Sequence, residues 1–159
     1  HPDGAVQHYD KKHLFTFGGE HKRFTAGTER VVVNFRGVRI LLEVCYDLRF
    51  PVWSRNLGDY DMILYVASWP TPRVDAWSAL LRARAIENQC YVAGVNRMGV
   101  DPACEYSGGS AIIDPYGKTI AECPWSRESA VSADIDMEAL QAFRKKFPVL
   151  DDADPFTLI

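Results

Sequence analysis

The chain has 159 residues, of which 47% are apolar and 25% are charged, and its formal net charge is −3. This composition is typical of a folded globular domain and excludes a low-complexity or disordered chain. The slightly acidic balance gives no electrostatic reason to expect nucleic acid or an anionic membrane as a partner, and no apolar run is long enough to span a bilayer.

The first third of the chain is predicted to contain a strand, a loop and a hairpin. Residues 4–10 alternate weakly between apolar and polar, which predicts a strand that delivers residues 11–13 to a loop. Glycines and charges favour a loop over 18–29. Two alternating apolar runs between 29 and 45 flank Arg36-Gly37, and this pattern predicts a β-hairpin.

The middle of the chain is predicted to alternate between helix and strand. Pro51 is suited to open a helix, because its missing N–H costs nothing at the first helical position. Residues 60–68 are almost continuously apolar, which predicts a strand covered on both faces. Ala, Leu and Arg dominate residues 74–90 and predict a helix, and residues 91–98 predict another buried strand.

The last third is predicted to contain a hairpin, a strand and a helix. The hairpin covers 109–123, the strand 129–137 and the helix about 137–147, which Pro148 ends. The tail of the chain ends in apolar residues and is expected to dock as a strand. Helices that alternate with strands of mixed direction predict a layered α/β protein.

Cys45 stands where an apolar strand ends and a polar turn begins, within ILLEVCYDLRFPVWSRN (40–56). Ligands of open α/β sheets gather beyond the carboxyl ends of strands. A nucleophile on a strand-to-helix turn is exposed and has backbone N–H donors nearby, and a helix that begins near Pro51 would stabilise a thiolate. Free cysteine is also a common buried packing residue, so the residues alone leave both interpretations open.

Other polar residues could act with this cysteine. Lys11 or Lys12 could lower the pKa of a thiolate and stabilise an oxyanion, although two adjacent lysines are more often a solvated turn. Three glutamates could each act as a base or form an ordinary ion pair. They are Glu20, Glu43 and Glu87.

Two further features concern the turn and its surroundings. Asp47 and Arg49 are expected to form an internal ion pair that shapes the turn after Cys45. Trp69 should stand near the same rim, either as the wall of a pocket or as a packing residue. The cysteines have no metal-site spacing and no disulfide pattern, so we expect no metal or cofactor and a reducing cytoplasm.

Four blocks of sequence together resemble a known family. They are YDKKHLF (9–15), EVCYDLRFPVWSRN (43–56), ASWP (67–70) and RARAIENQCYVAGVNR (82–97). The blocks resemble the nitrilase, or carbon–nitrogen hydrolase, superfamily, and the resemblance runs the length of the chain. It implies an α/β fold that is part of a four-layer αββα sandwich with mixed sheets.

Within the superfamily the closest likeness is to bacterial ω-amidases, which hydrolyse the terminal amide of 2-oxo-dicarboxylic acid monoamides. The resemblance implies hydrolysis of a small amide through a cysteine thioester, without a cofactor, by a homodimer or larger homo-oligomer. A nitrilase or an N-carbamoyl amide hydrolase is the alternative within the superfamily. A non-catalytic fragment or scaffold, in which Cys45 only packs, is the alternative of a different class.

The resemblance also assigns roles to residues. It implies that Cys45 is the nucleophile and Lys11 the lysine of a Glu-Lys-Cys triad, with Glu20 as a second, supporting glutamate that positions the lysine. The backbone N–H of Tyr46 would join Lys11 in an oxyanion hole. Lys12 would then be a bystander.

Two residues are expected to contact the substrate by the same resemblance. Trp69 falls where family members line the acyl pocket, and Arg73 is a contact for a substrate carboxylate. The family's general-base glutamate lies upstream of the lysine block, and no glutamate occurs among the ten residues before Lys11. We therefore expect residues 1–159 to be the C-terminal portion of one carbon–nitrogen hydrolase domain, and the isolated piece to be inactive.

Overall fold

A computed structural model describes residues 4–157 as a mixed six-stranded sheet, a separate two-stranded hairpin and two α-helices. The sheet order is β1-β2-β3-β4-β7-β8, and β5 pairs with β6. The strands are β1 (Val32–Phe35), β2 (Val38–Val44), β3 (Met62–Ala67), β4 (Tyr91–Asn96), β5 (Met98–Val100), β6 (Glu105–Ser107), β7 (Ala111–Ile113) and β8 (Thr119–Glu122), and the helices are α1 (Val74–Glu87) and α2 (Met137–Lys146).

Three parallel strands form the centre of the sheet. β2, β3 and β4 are parallel to one another, whereas β1 and β7 join at either side in antiparallel pairs and β8 continues from β7. The carboxyl ends of the central strands therefore meet at one edge of the sheet. The predicted α/β class with mixed strand directions is confirmed.

The first predicted hairpin is present. Phe35 pairs with Val38 around Arg36 and Gly37, whose φ angles are 52° and 84°. Positive φ at both central residues gives the turn a twist that matches the right-handed twist of the flanking strands, and glycine adopts this conformation without steric cost.

The core lies between α1 and one face of the sheet. Ile63 and Tyr65 of β3 and Trp77 and Leu81 of α1 are at most 1% exposed. A Cβ atom at Gly94 of β4 would lie 2.5 Å from the Leu81 side chain and 2.8 Å from that of Trp77. The glycine therefore permits the close approach between helix and sheet on which this core depends.

The opposite face of the sheet is largely open. Val66 and Val95 are 46% and 49% exposed, and a groove on this face is lined by residues 5–7 together with side chains of β1, β2 and β3. The expectation that β3 is covered on both faces is therefore wrong for the part of the chain that the structure describes. The apolar run reflects the hydrophobicity of the strand, but it does not show whether both faces are covered.

Helix α2 closes the end of the sheet opposite the carboxyl ends of the central strands. Arg144 donates to Asp61, which precedes β3, and to the carbonyls of Tyr60 and Gln89. Asp136 caps the helix by accepting a hydrogen bond from the Ala139 N–H at 2.8 Å. Within residues 4–157, no helix is long and apolar enough to cross a membrane.

Four local predictions are wrong. Residues 4–10 and 129–136 form no strand, because a weak local pattern of apolar residues does not by itself specify one. No helix begins at Pro51: residues 51–54 form a turn, and a short 3₁₀ helix, Cys45–Arg49, precedes it. The expected docking strand of the tail is absent over 153–157, and residues 158–159 lie outside the described part of the chain.

Candidate active site

A cavity of about 1040 Å³ opens at the carboxyl ends of β2 and β3. Its walls come from four separate segments, which are residues 9–25, 44–49, 66–73 and 103–106. Every residue to which the family resemblance assigned a catalytic or substrate-binding role lines this one cavity. These residues are Lys11, Glu20, Cys45, Tyr46, Trp69 and Arg73.

Cys45 occupies a strained turn directly after β2. Its φ angle is 49°, a left-handed conformation that costs non-glycine residues of order 1–3 kcal/mol and that clusters at functional sites. The partly buried sulfur lies 3.9 Å from the carbonyl oxygen of Ser68, at the end of the neighbouring strand β3. Tyr46 follows in the first turn of the 3₁₀ helix, where N–H groups have no acceptor within the helix.

The two largest effects on the pKa of Cys45 oppose each other. Burial raises the pKa of the thiol above its ordinary value, and the ammonium group of Lys11 lowers it. Burial is the larger effect. The sulfur therefore needs a base to become a nucleophile near neutral pH.

Lys11 and Glu20 form a tight pair beside the sulfur. The Lys11 Nζ lies 2.7 Å from Glu20 Oε2 and 3.0 Å from Oε1, and Oε2 also accepts the Phe15 N–H at 2.7 Å. Burial raises the pKa of Glu20, but these hydrogen bonds outweigh it and hold the pKa below its ordinary value. Glu20 is thus an ionised partner that orients the lysine.

The other lysine of the pair points elsewhere. The Lys12 ammonium lies 5.1 Å from the centroid of the Trp53 ring, a cation–π contact outside the cavity. The structure therefore shows which of the two lysines faces the cavity, whereas the sequence composition alone could not distinguish them.

The remaining two candidate bases do not line the cavity. Glu87 binds Arg84 at 2.6 Å on α1. Glu43 lies on β2, is 1% exposed, and its carboxylate oxygens accept no hydrogen bond from the described residues. Burial and the nearby Asp47 carboxylate raise the pKa of Glu43 to about 9, so it is a neutral acid inside the core at pH 7.

We expect Glu43→Gln to stabilise the protein more at pH 8 than at pH 5. Glu43 binds a proton in the folded state between pH 4.5 and about 9 but releases it on unfolding, so the free energy of unfolding falls as pH rises through this window. The difference between the two pH values should be on the order of 3 kcal/mol in urea titrations. The exposed Glu138→Gln is the control; a pH-independent effect of Glu43→Gln would contradict the prediction.

The expected ion pair between Asp47 and Arg49 is wrong. Asp47 is fully buried and accepts hydrogen bonds from the Val44 N–H and from His13 instead. The Arg49 guanidinium stacks 4.9 Å from the Trp69 ring centroid. Side chains two residues apart on one helical turn do not face each other, which is why sequence proximity misled here.

Trp69 is held firmly in the cavity wall. It is 3% exposed, and its indole N–H donates to the Arg73 carbonyl at 2.6 Å. Asn96, which the sequence did not single out, accepts the Trp69 N–H at 2.7 Å and donates to the Trp69 and Gly108 carbonyls. An amide side chain within the predicted buried strand 91–98 was the signal available.

The β5–β6 hairpin was also missed, and it contributes Cys104 and Tyr106 to the cavity. Tyr106 donates to Asp101 at 2.8 Å, and Asp101 accepts the Cys104 N–H in the turn. The two strands are three residues long, which is too short for an alternating pattern. Asp101 before Pro102 was the turn signal that could have revealed the hairpin.

Known proteins are similar to this chain over almost its whole length. The chain is 55% identical over 158 residues to the ω-amidase YafV of Escherichia coli, covering 99% of this chain and 62% of that protein. It is 42% identical over 149 residues to the 2-oxoglutaramate amidase of Bacillus subtilis, covering 92% of this chain and 57% of that protein. The chain thus spans about three fifths of the length of these relatives.

The fold is also similar to a crystal structure. A CN-hydrolase superfamily protein of Xanthomonas campestris, which carries an arsenic adduct in its active site, superposes with a TM-score of 0.95 at 50% identity. The match covers 99% of this chain and 62% of that one. Residues 1–145 match the family described as carbon-nitrogen hydrolase. The chain belongs to the carbon–nitrogen hydrolase family.

Proposed function

We propose that the whole protein hydrolyses a small, non-peptide amide through a cysteine thioester, and that the substrate is a 2-oxo acid monoamide such as 2-oxoglutaramate or 2-oxosuccinamate. The observation that carries the proposal is the Lys11–Glu20 pair in one cavity with Cys45. The names of the relatives support the substrate. These relatives are longer than this chain, so we propose the activity for a whole protein of similar length.

The first half of the reaction makes the thioester. The Cys45 thiol gives its proton to a base while the sulfur attacks the amide carbon, and the carbonyl oxygen becomes an oxyanion. The Tyr46 N–H and the Lys11 ammonium donate hydrogen bonds to this oxygen. When the tetrahedral intermediate collapses, the C–N bond breaks, the base returns its proton to nitrogen and ammonia leaves.

The second half releases the acid. Water gives a proton to the same base and attacks the thioester carbon, the C–S bond breaks, and the sulfur recovers the proton as a thiol. Glu20 is a poor candidate for this base, because both of its oxygens bind Lys11. We therefore assign the role to the glutamate that the family resemblance places upstream of Lys11.

The charges of the cavity favour an anionic substrate. Arg49 and Arg73 both line it, and neither forms an ion pair with any residue in the described range 4–157. Instead Arg73 lies 5.6 Å from the centroid of the Phe15 ring. Of the two acidic residues in the lining, Glu20 is already bound to Lys11. Guanidinium groups held by aromatic rings keep their donors available for a carboxylate.

We expect Arg73→Ala to raise KM for 2-oxoglutaramate about 10- to 100-fold, since a hydrogen bond to a charged group contributes about 1.5–3 kcal/mol. The kcat/KM for the neutral amide valeramide should stay within about twofold. The exposed Arg82→Ala on α1 is the matched control and should leave both substrates unaffected. Equal losses on both substrates would contradict a carboxylate contact.

The same assay separates the proposed activity from its alternatives. A nitrile and an N-carbamoyl amino acid are measured beside 2-oxoglutaramate, with release of ammonia as the signal. We expect the whole protein to prefer the oxo acid amide and the isolated 159-residue chain to be inactive, because the thiol of Cys45 would lack its base. A preference for the nitrile or the carbamoyl compound would contradict the ω-amidase proposal and favour the corresponding alternative.

Localisation and assembly are also proposed. Each of the four cysteines, all within the described residues, is free, which supports a reducing cytoplasm. Assembly as a homodimer or larger homo-oligomer is proposed from the family resemblance, and the exposed Ile86 on α1 is compatible with a contact there. A monomeric mass of the whole protein in sedimentation equilibrium would refute this assembly.

A further inference from the structure

We propose that Asp47 is a positioning residue that holds the ammonium group of Lys11 beside the sulfur of Cys45. The inference rests on the proposed nucleophilic role of Cys45, and it adds a residue that does not itself line the cavity. Asp47 is fully buried two residues after the cysteine. Its two carboxylate oxygens join two segments of the site that are far apart in sequence.

One oxygen belongs to the nucleophile turn. Asp47 Oδ2 accepts the N–H of Val44, the residue immediately before Cys45, at 3.1 Å. It also accepts the hydroxyl of Tyr9 at 2.9 Å. A single oxygen atom thus touches the turn that carries the sulfur and the segment that carries Lys11.

Within the described residues, the other oxygen has hydrogen-bond partners only in the segment that carries Lys11. Asp47 Oδ1 accepts the backbone N–H of His13 at 2.8 Å and lies 2.9 Å from its Nδ1. Tyr9 and His13 are each two residues from Lys11, one on either side. The carboxylate therefore anchors the chain on both sides of the lysine, through the Tyr9 hydroxyl on one side and the His13 backbone on the other.

These anchors matter because residues 9–13 belong to no strand or helix. Besides the contacts to Asp47, the backbone there is held by the Gly27 N–H, which donates to the Lys11 carbonyl at 2.9 Å, and by the Lys12 N–H, which donates to the Tyr9 hydroxyl at 3.1 Å. The side chains of the two residues that bind Asp47, His13 and Tyr9, are themselves held in place. The His13 ring stacks on Phe50 with centroids 3.7 Å apart, and the Trp53 indole donates to the Tyr9 hydroxyl at 3.0 Å.

A positioning role and a purely electrostatic role predict opposite results when the charge is removed. Burial is the main cause that raises the pKa of the Cys45 thiol, the Lys11 ammonium lowers it, and the Asp47 carboxylate raises it. Loss of the Asp47 charge alone would make the thiol more acidic. Loss of the anchor would let Lys11 move away and make the thiol less acidic.

Asp47→Asn keeps the shape of the side chain but replaces one acceptor oxygen with a donor, so one of the two segments loses its anchor. The whole protein is treated with iodoacetamide from about pH 6.5 to pH 10, and each cysteine is followed by mass spectrometry. We expect Cys45 alkylation at pH 8 to slow about tenfold and its rate–pH curve to move to higher pH. Faster alkylation of Cys45 would overturn the proposal.

Cys104 is an internal control for the fold. It lines the same cavity, but its backbone is held by Asp101, so its rate should stay within about twofold. If Asp47→Asn unfolds the protein, Cys104 will react faster. The variant Tyr9→Phe then replaces Asp47→Asn as the test of the positioning role. That variant removes one anchor and leaves the charge of Asp47, so a slower Cys45 supports positioning and an unchanged Cys45 overturns it.

Lys11→Met completes a double-mutant cycle. If Asp47 acts through Lys11, Asp47→Asn should cause no further slowing of Cys45 alkylation in the Lys11→Met background. The same slowing with and without Lys11 would overturn the proposal. Alkylation needs no substrate, so these rates test the role of Asp47 independently of catalysis. A wild-type protein without amidase activity would refute the proposed function, and the alkylation rates would still test the Asp47 proposal.

Discussion

Replacement of Cys45 with alanine is expected to abolish hydrolysis of 2-oxoglutaramate, with a loss on the order of 10⁵- to 10⁶-fold, as for other covalent nucleophiles. The sulfur is the atom that forms the thioester, and no other described side chain of the cavity stands on a strained turn at the end of a central strand. The substitution removes one partly buried atom at the rim of the cavity, so the fold should survive.

Cys104→Ala is the matched control for this prediction. Cys104 lines the same cavity but lies on the β5–β6 turn, away from the carboxyl end of β2. We expect its removal to change kcat by less than about threefold, and thermal melting should confirm that both variants fold. Retention of amidase activity by Cys45→Ala would refute the assignment of the nucleophile.

Lys11→Met is expected to lower kcat about 10²- to 10³-fold, the range seen when one oxyanion donor is removed from other enzymes. The side chain is 13% exposed and is fixed by Glu20, so the ammonium is already oriented when the oxyanion forms. Methionine keeps the length of the side chain and removes its charge. The Cys45 thiol should also become less acidic, because Lys11 lowers its pKa.

Lys12→Met separates this effect from a general loss of positive charge. Lys12 carries the same charge one residue later but lies against Trp53, outside the cavity. Its substitution should change kcat by less than about threefold. Equal losses in Lys11→Met and Lys12→Met would show that neither lysine is a specific donor.

Local sequence marked Cys45 as a candidate nucleophile, with a packing role left open, whereas it did not single out the partners of this cysteine. Cys45 follows a strongly alternating strand, and the end of a strand is a feature that periodicity reveals. Lys11 and Glu20 come together in a loop, where no periodic pattern exists, so only the family resemblance identified them. The structure places all three around one cavity.

Local strand character is a poor guide to the short segments of this fold. Residues 4–10 and 129–136 have some strand character in sequence but form no strand in the structure. The reverse holds for β5 and β6, which are too short to show a pattern but pair through the turn at Asp101. The contacts of Asp47 to Tyr9 and His13 escaped prediction because these two residues lie more than thirty positions away in sequence.

The Cys45 nucleophile is tested most directly by mass spectrometry of the whole protein, quenched in acid during turnover of saturating 2-oxoglutaramate. We expect the peptide that contains Cys45 to carry a mass increment equal to the substrate minus ammonia, and hydroxylamine to remove it, as for a thioester. An increment on a different residue, or an unmodified Cys45 in samples that were releasing ammonia when quenched, would contradict the account.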